Sequence, residues 1–303
     1  MAELATSSSE ALTETTARRA LTHACQQVGL PHGNAELIRI GSNAVFRVDA
    51  ASIARVAPSL AHRENAQKQI DVARWLRDID YPATRALDVE QPVEAEGRIV
   101  TFWESISLET RYAPIRDVAR LTRRLHDLQL PPKLALPALQ PFGALEEPFP
   151  DLPAIPRADA QFLRERLEWA RSQFPVLPFV LPPGVVHGDA NVGNVLVDDE
   201  GRAILIDLDS FSTGPREWDL VQTALFYDRL GWHTRDEYME FVDVYGFDLM
   251  SWPGYGELAD MREIAMTTWL CRKAGDSAKT AAEAMKRVSA IRTGSSRQDW
   301  GAY

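Results

Sequence analysis

His187-Gly188-Asp189-Ala190-Asn191-Val192-Gly193-Asn194, followed by Leu205-Ile206-Asp207-Leu208-Asp209, is the stretch on which the fold turns. It brings an aspartate, an amide and a second aspartate into about twenty residues, in the order that phosphoryl transfer uses. Between the two blocks, Val195-Leu196-Val197 runs into Asp198-Asp199-Glu200-Gly201, a turn, and Ala203 to Ile206 returns as a strand. Folding this hairpin about Asp199-Glu200 sets Ile206 or Asp207 opposite Asn194. The loop holding Asp189 is expected to run in beside them, so three polar groups converge at one end of a two-stranded ribbon.

The residue types fit one chemistry. Magnesium takes hard oxygen ligands, few of them from protein and the rest from phosphates and water. An amide oxygen and a carboxylate, Asn194 and Asp207, meet that demand. The terminal phosphate of a triphosphate also needs an acceptor hydroxyl aimed in line, and an aspartate that accepts the hydroxyl proton does the aiming. Asp189 suits that role. Asp198 and Asp199 read as turn residues, His187 as a donor that fixes the loop, and Asp209 as a local structural acid.

Outward from the motif, the chain divides by character. Thr15 to Val28 reads as a helix ended by Gly29. Leu37 to Ile40, Ala44 to Val48 and Ser52 to Val56 are short strands, His62 to Arg77 is helical by its spacing of Ala66, Ile70, Ala73 and Leu76, and Arg98 to Trp103 is β-type. About eighty residues thus form a small sheet with one helix laid across it. Beyond Ser105 the pattern is mostly helical. Apolar stripes run from Ile115 to Leu128 and from Phe162 to Ala170, and further helices cover Trp218 to Tyr227, Tyr238 to Tyr245, Tyr255 to Arg272 and Lys279 to Arg292. The proline-rich stretch from Pro131 to Pro156 is expected to wrap the surface. The expected division is a flexible tail over 1–14, a first lobe over 15–104 and a helical second lobe over 105–303.

Composition narrows the partners. With 303 residues, 45% apolar and 25% charged, the chain has room for one large or two modest cores. A net charge of −10 argues against nucleic acid, which demands a basic stripe, and is compatible with a cationic small molecule. No apolar run is long enough to span a membrane, and Met1 to Glu10 lacks the pattern of a secretion signal. Cys25 and Cys271 are far apart without metal spacing, as expected of buried thiols in a reducing cytoplasm. Nothing points to an obligate protein partner.

The sequence resembles the aminoglycoside phosphotransferase and choline kinase-like superfamily, small-molecule relatives of protein kinases. The resemblance is carried by residues 187–194, by Leu205 to Asp209 and by Gly214-Pro215-Arg216-Glu217-Trp218-Asp219-Leu220. Weaker support comes from Gly41 to Phe46, Ala73 to Leu76 and Leu125-His126-Asp127-Leu128. It implies an α+β, two-lobed protein-kinase-like fold, with a small antiparallel-sheet first lobe and a mostly helical second. It also implies ATP and magnesium as cofactors, and transfer of the γ-phosphate to a hydroxyl of a small molecule, with Asp189 as the catalytic aspartate. Asp219 would be a structural acid behind the catalytic loop. Adenine would meet the connector near Trp103 to Ser105, and Ser42 of the thin Gly41-Ser42-Asn43 turn would face phosphate.

Two positions depart from the family pattern. The first-lobe lysine that grips the nucleotide falls at Arg55, and the earliest of the five lysines is Lys68. Arginine's fork suits phosphate oxygens but is bulkier. The helix glutamate that pairs with that lysine falls at Gln69, while Glu64 lies about 140° away around the helix. Either Gln69 or Glu64 would partner Arg55. The acceptor stays open among an aminoglycoside, another aminosugar or sugar, and an amino alcohol; Tyr227, Asp228, Trp232, Glu263 and Trp269 could hold an amine or a sugar face. Two other readings stand beside the kinase: a metal-dependent phosphohydrolase using Asp189, Asp207 and Asp209, and a non-catalytic nucleotide-binding module.

Overall fold

The computed structural model describes residues 11–143 and 152–303. Residues 1–10 of the expected tail over 1–14, and part of the proline-rich stretch, therefore fall outside the described residues, while Thr13 and Glu14 already cap and begin the first helix. Contacts divide the chain into two units. The segment up to Ala113 groups with Gly193–Phe211, and Pro114–Val192 groups with Ser212–Tyr303.

The first unit is built on a five-stranded antiparallel sheet. Its strands are β1 (Glu36–Ile40), β2 (Ala44–Arg47), β3 (Ser52–Val56), β4 (Val93–Ala95) and β5 (Arg98–Glu104), in the order β1-β2-β3-β5-β4. Strand periodicity decides what each face does. Ala44, Phe46, Ala54, Val56, Val100 and Phe102 lie in one core with Ala17, Ala20, Leu21 and Ala24 of helix α1 (Glu14–Val28). A Thr13–Thr16 capping box starts α1, and Gly29 ends it at φ 73°. The alternate positions, Val45, Arg55, Ile99, Thr101 and Trp103, belong to the other face, which helix α2 (Arg63–Asp78) covers. There Ala57, Ala66 and Ile99 form a second small core. The sheet is thus packed on both sides; α1 reads as a helix in sequence, but its place on the sheet does not follow from its pattern.

The hairpin of β7 (Val195–Val197) and β8 (Ala203–Leu205), which follows β6 (Gly184–Val186) of the second unit, belongs to this first unit because its backbone bonds there. Thr84 N–H donates to Leu205 O at 2.8 Å, Leu205 N–H to Pro82 O at 3.0 Å, and Ala113 N–H to Val195 O at 2.9 Å.

The second unit is mostly helical. Beside β6, which pairs antiparallel with β9 (Ser212–Gly214), it holds α3 (Ile115–His126), α4 (Arg157–Gln173), α5 (Glu217–Asp228), α6 (Arg235–Tyr245), α7 (Tyr255–Arg272) and α8 (Ala278–Thr293). Helix α3 packs on α6, while α7 packs on α4, α5 and α8. Central α5 is buried on every side from Glu217 to Phe226, so its acids and amides need partners inside the protein. Among the described residues, no helix is long and apolar enough to cross a membrane.

Candidate active site

In the second unit, β6 delivers Val186 into the loop that holds Asp189. Gly188 adopts φ 84°, a conformation that suits glycine. Asp219, 1% exposed near the start of α5, holds the loop from behind. Its Oδ2 accepts the His187 N–H at 2.7 Å, and its Oδ1 accepts the Gly188 N–H at 2.7 Å. His126 Nε2 lies 3.0 Å from Oδ2, and His126 Nδ1 lies 2.8 Å from the Tyr245 hydroxyl. Burial works against the Asp219 charge, but the hydrogen bond and charge of His126, with His187 beside it, outweigh burial and hold the carboxyl below the usual carboxylate range. Asp219 is thus the structural acid that the resemblance implied, and the Leu125-His126 signature places its partner.

Asp189 itself is half-buried. Its N–H donates to His187 Nδ1 at 3.3 Å, and its carbonyl accepts Asn191 Nδ2 at 2.9 Å. His187 thereby fixes the loop, its backbone N–H donating to Asp219 and its ring Nδ1 accepting the Asp189 N–H. The Asp189 carboxylate forms an ion pair with Arg262 of α7, which also donates to Gln222 of α5. The Arg262 guanidinium lies 4.9 Å from the Trp218 ring centre, and Trp218 Nε1 donates to Gly188 O at 2.9 Å. Sequence reading missed both Arg262 and Gln222. The signal was there: Arg262 sits among Leu258, Ala259, Met261 and Ile264, all fully buried, where a charge needs a partner.

In the first unit, the hairpin register pairs Val195 with Leu205, and Ile206 N–H donates to Asn194 O at 2.9 Å. Asn194 thus stands opposite Ile206, next to Asp207, as the turn predicts. Asp198 makes that turn: its Oδ1 accepts the N–H groups of Glu200 at 3.1 Å and Arg202 at 2.7 Å. Asp207 has φ 63°, in the left-handed region that costs a non-glycine residue energy and is found at functional sites. Amide and carboxylate oxygens are hard donors of the kind a magnesium ion takes beside phosphates and water, so these two residue types fit such an ion. Among the described residues there is no group of three or more His, Cys, Asp and Glu side chains that could hold a metal.

A polar depression in the same unit is lined by Ser42, Asn43, Arg55, His62, Asn65, Gln69, Thr101 and Asp209, among others. Arg55 faces it from β3, its guanidinium 5.3 Å from the Trp103 ring centre. Gln69 does not bond Arg55. Its Nε2 donates to Asp209 Oδ1 at 2.8 Å, Asn65 Nδ2 donates to the same oxygen at 2.5 Å, and Lys68 Nζ reaches Asp209 O at 2.5 Å. Residues 65, 68 and 69 share one face of α2, and Glu64 is exposed on the outside. The helix amide therefore meets the Asp209 segment rather than the strand cation. A glutamate at 69 would face a carboxylate, which gives a physical reason for the family's acid to be an amide here. Trp103 is buried, its Nε1 donating to Thr101 Oγ1 at 2.8 Å. Ser105 N–H donates to Ala51 O at 2.7 Å, and its hydroxyl accepts Arg47 Nη1 at 2.9 Å.

Of the acceptor candidates, Glu263 is 1% exposed and has both oxygens engaged, by Arg229 at 3.0 Å and Arg297 at 3.1 Å. Asp228 accepts the Tyr255 hydroxyl at 2.9 Å, Tyr227 stacks on Tyr238, and Trp232 Nε1 donates to Trp300 O at 3.2 Å. Trp269 is 43% exposed, with Lys273 Nζ 4.8 Å from its ring centre.

A five-stranded first unit, a helical second unit and a loop held by a buried aspartate define a kinase-like protein. The sequence profile of the Phosphotransferase enzyme family (APH) matches residues 36–259, and the chain belongs to that family. No curated protein matches it. Solved structures share the fold at low identity. The amicoumacin kinase hAmiN, in complex with AMP-PNP, Ca2+ and Ami, is 14% identical with a TM-score of 0.69, over 95% of this chain and 98% of that one. Choline kinase LicA from Streptococcus pneumoniae is 16% identical with a TM-score of 0.60, over 89% and 98%. The aminoglycoside phosphotransferase APH(3'')-Id from Streptomyces rimosus is 18% identical with a TM-score of 0.57, over 85% and 99%.

Proposed function

We propose that this protein is an ATP- and magnesium-dependent small-molecule O-phosphotransferase that moves the γ-phosphate to an acceptor hydroxyl, with Asp189 as its catalytic aspartate. The observation that carries the reading is the build of the Asp189 loop. Two backbone N–H groups are tied to buried Asp219, and the Asp189 carboxylate is fixed rather than left on a mobile surface loop. A carboxylate held in one rotamer can orient a hydroxyl and accept its proton as the bond to phosphorus forms.

Asn194 and Asp207 would hold magnesium, which when bound neutralises phosphate charge. Arg55 and Ser42 would contact the nucleotide phosphates, Gln69 would keep the wall of that depression in place, and Trp103 would support Arg55 beneath the base. Ser105 would lie at the connector that receives adenine. Residues 15–104 would serve as the nucleotide-binding lobe and 105–303 as the acceptor-bearing lobe, in a cytoplasmic enzyme. The relatives named for amicoumacin, choline and aminoglycosides support a hydroxylated, amine-bearing acceptor, and the net charge of −10 favours a cation.

The test is an ATP-consumption screen across aminoglycosides, aminosugars, sugars and amino alcohols, with Asp189→Asn as the control. Acceptor-dependent turnover that disappears in Asp189→Asn is the expected result. Equal turnover in Asp189→Asn removes the assigned role. ATP binding without turnover on any acceptor in a broad panel replaces the kinase by a nucleotide-binding module.

A further inference from the structure

Resting on Asp189 as the catalytic aspartate, we infer that Arg262 is its positioning residue: a buried arginine on α7 that locks the carboxylate in the orientation used for transfer. Arg262 is 7% exposed. A charge so placed is stable only where partners replace water, and almost all of its partners belong to the loop or to the helix that anchors the loop. Nη2 donates to Asp189 Oδ1 and to Gln222 Oε1, and Nη1 lies 3.4 Å from Gly188 O. The face of the guanidinium lies against Trp218, whose indole N–H holds the same Gly188 carbonyl. Gly188 is therefore gripped on both sides, by Asp219 through its N–H and by Arg262 and Trp218 through its carbonyl.

Gln222 completes the device. It lies on α5 one turn beyond Trp218 and Asp219, so one helix supplies the loop's acid anchor, the aromatic platform and the amide that orients the arginine. The guanidinium fork has a fixed shape. With one nitrogen shared between Gln222 and Asp189 and the ring face seated on Trp218, the direction of the Asp189 carboxylate is set by α5 and α7 together. Lysine at 262 would keep the charge but present a single point donor with no plane to seat on Trp218. Arg262 does not touch the reacting atoms in this role. It acts through Asp189, so its loss affects the rate of transfer and leaves the grip on ATP.

Arg262→Ala, Arg262→Lys and Asp189→Asn test this, with transfer read on kanamycin, spectinomycin and choline, and as ATP hydrolysis without acceptor. For Arg262→Ala the expected result is a loss of roughly 100-fold in kcat, with KM for ATP within about twofold. Added guanidinium ion, which can re-enter the space left beside Trp218, restores at least about tenfold of that loss. Arg262→Lys falls between. A kcat for Arg262→Ala within about threefold of the parent overturns the inference, as does a loss that tracks the unfolded fraction with no guanidinium rescue. If Asp189→Asn also keeps full turnover, the reading of Asp189 fails instead; if Asp189→Asn is dead while Arg262→Ala is active, only the positioning role fails. A second arm needs no turnover. Asp189→Ala strands a buried cation and lowers the melting temperature, and adding Arg262→Met to it recovers the loss. A further drop in that double variant also overturns the inference.

Discussion

Replacing Asp219 by alanine tests the anchor of the catalytic loop. The carboxylate accepts two backbone N–H groups at 2.7 Å and faces His126 Nε2 at 3.0 Å, with its side chain fully buried. An orphaned buried donor costs about 1–3 kcal/mol, and more where the lost partner was charged; the change strands the His187 and Gly188 N–H groups and removes the partner of His126 Nε2. The groups overlap, so the sum is not taken, and a loss of about 4 kcal/mol is expected. That is a large part of the roughly 5–15 kcal/mol that holds a domain together. It corresponds to a fall of about 10 °C in Tm. Asp219→Asn keeps one accepting oxygen and costs about half as much.

The assay is thermal and urea unfolding followed by circular dichroism, run with both variants across pH. Because the folded pKa of Asp219 lies below its unfolded value, its stabilisation is complete above the unfolded carboxylate pKa of about 3.9 and is lost as pH falls through the folded value. The gap between parent and Asp219→Asn is therefore level above about pH 5 and closes in stronger acid. A Tm change below about 3 °C for Asp219→Ala at pH 7 would refute the reasoning, as would a gap that widens on acidification.

Gln69→Glu sets a carboxylate against Asp209 Oδ1, and destabilisation by about 1–2 kcal/mol is expected; adding Asp209→Asn recovers most of it, and urea midpoints of the four proteins read the coupling. Arg55→Ala raises KM for ATP by about tenfold with kcat little changed, a split visible in steady-state kinetics. Asp207→Ala abolishes the response of turnover to added magnesium, and Asn194→Ala shifts the magnesium titration upward by about tenfold.

The strand period of the first unit is legible where β2 and β3 alternate cleanly: Ala44 and Phe46, then Ala54 and Val56, lie on the α1 side of the sheet. β4 escapes notice because three residues between Pro92 and the turn at Glu96-Gly97 are too short to show a period. The hairpin register was readable from the Asp198 to Gly201 turn alone, since a turn fixes strand pairing by local chemistry. What was not readable is every contact made across long chain separation. Gln69 could be placed on its helix face, but its partner Asp209 lies 140 residues away. Arg262 meets Asp189 across 73 residues, and His126 meets Asp219 across 93. Helical periodicity marks such residues only as charges on a buried face, without naming whom they meet.

The turn at Asp198 has one more consequence. Its carboxylate clasps Glu200, Arg202 and the Arg202 guanidinium, and these bonds set how far each strand of the hairpin has travelled when it reaches Asn194 and Asp207. The turn is a ruler for the two side chains at the other end. Adding one residue within it slips one strand by a single position and sends the facing side chains to opposite sides. The spacing of a chemical pair is thus gauged at a surface-exposed tip that takes no part in the chemistry, so length variation there is confined to changes that return the strands to register.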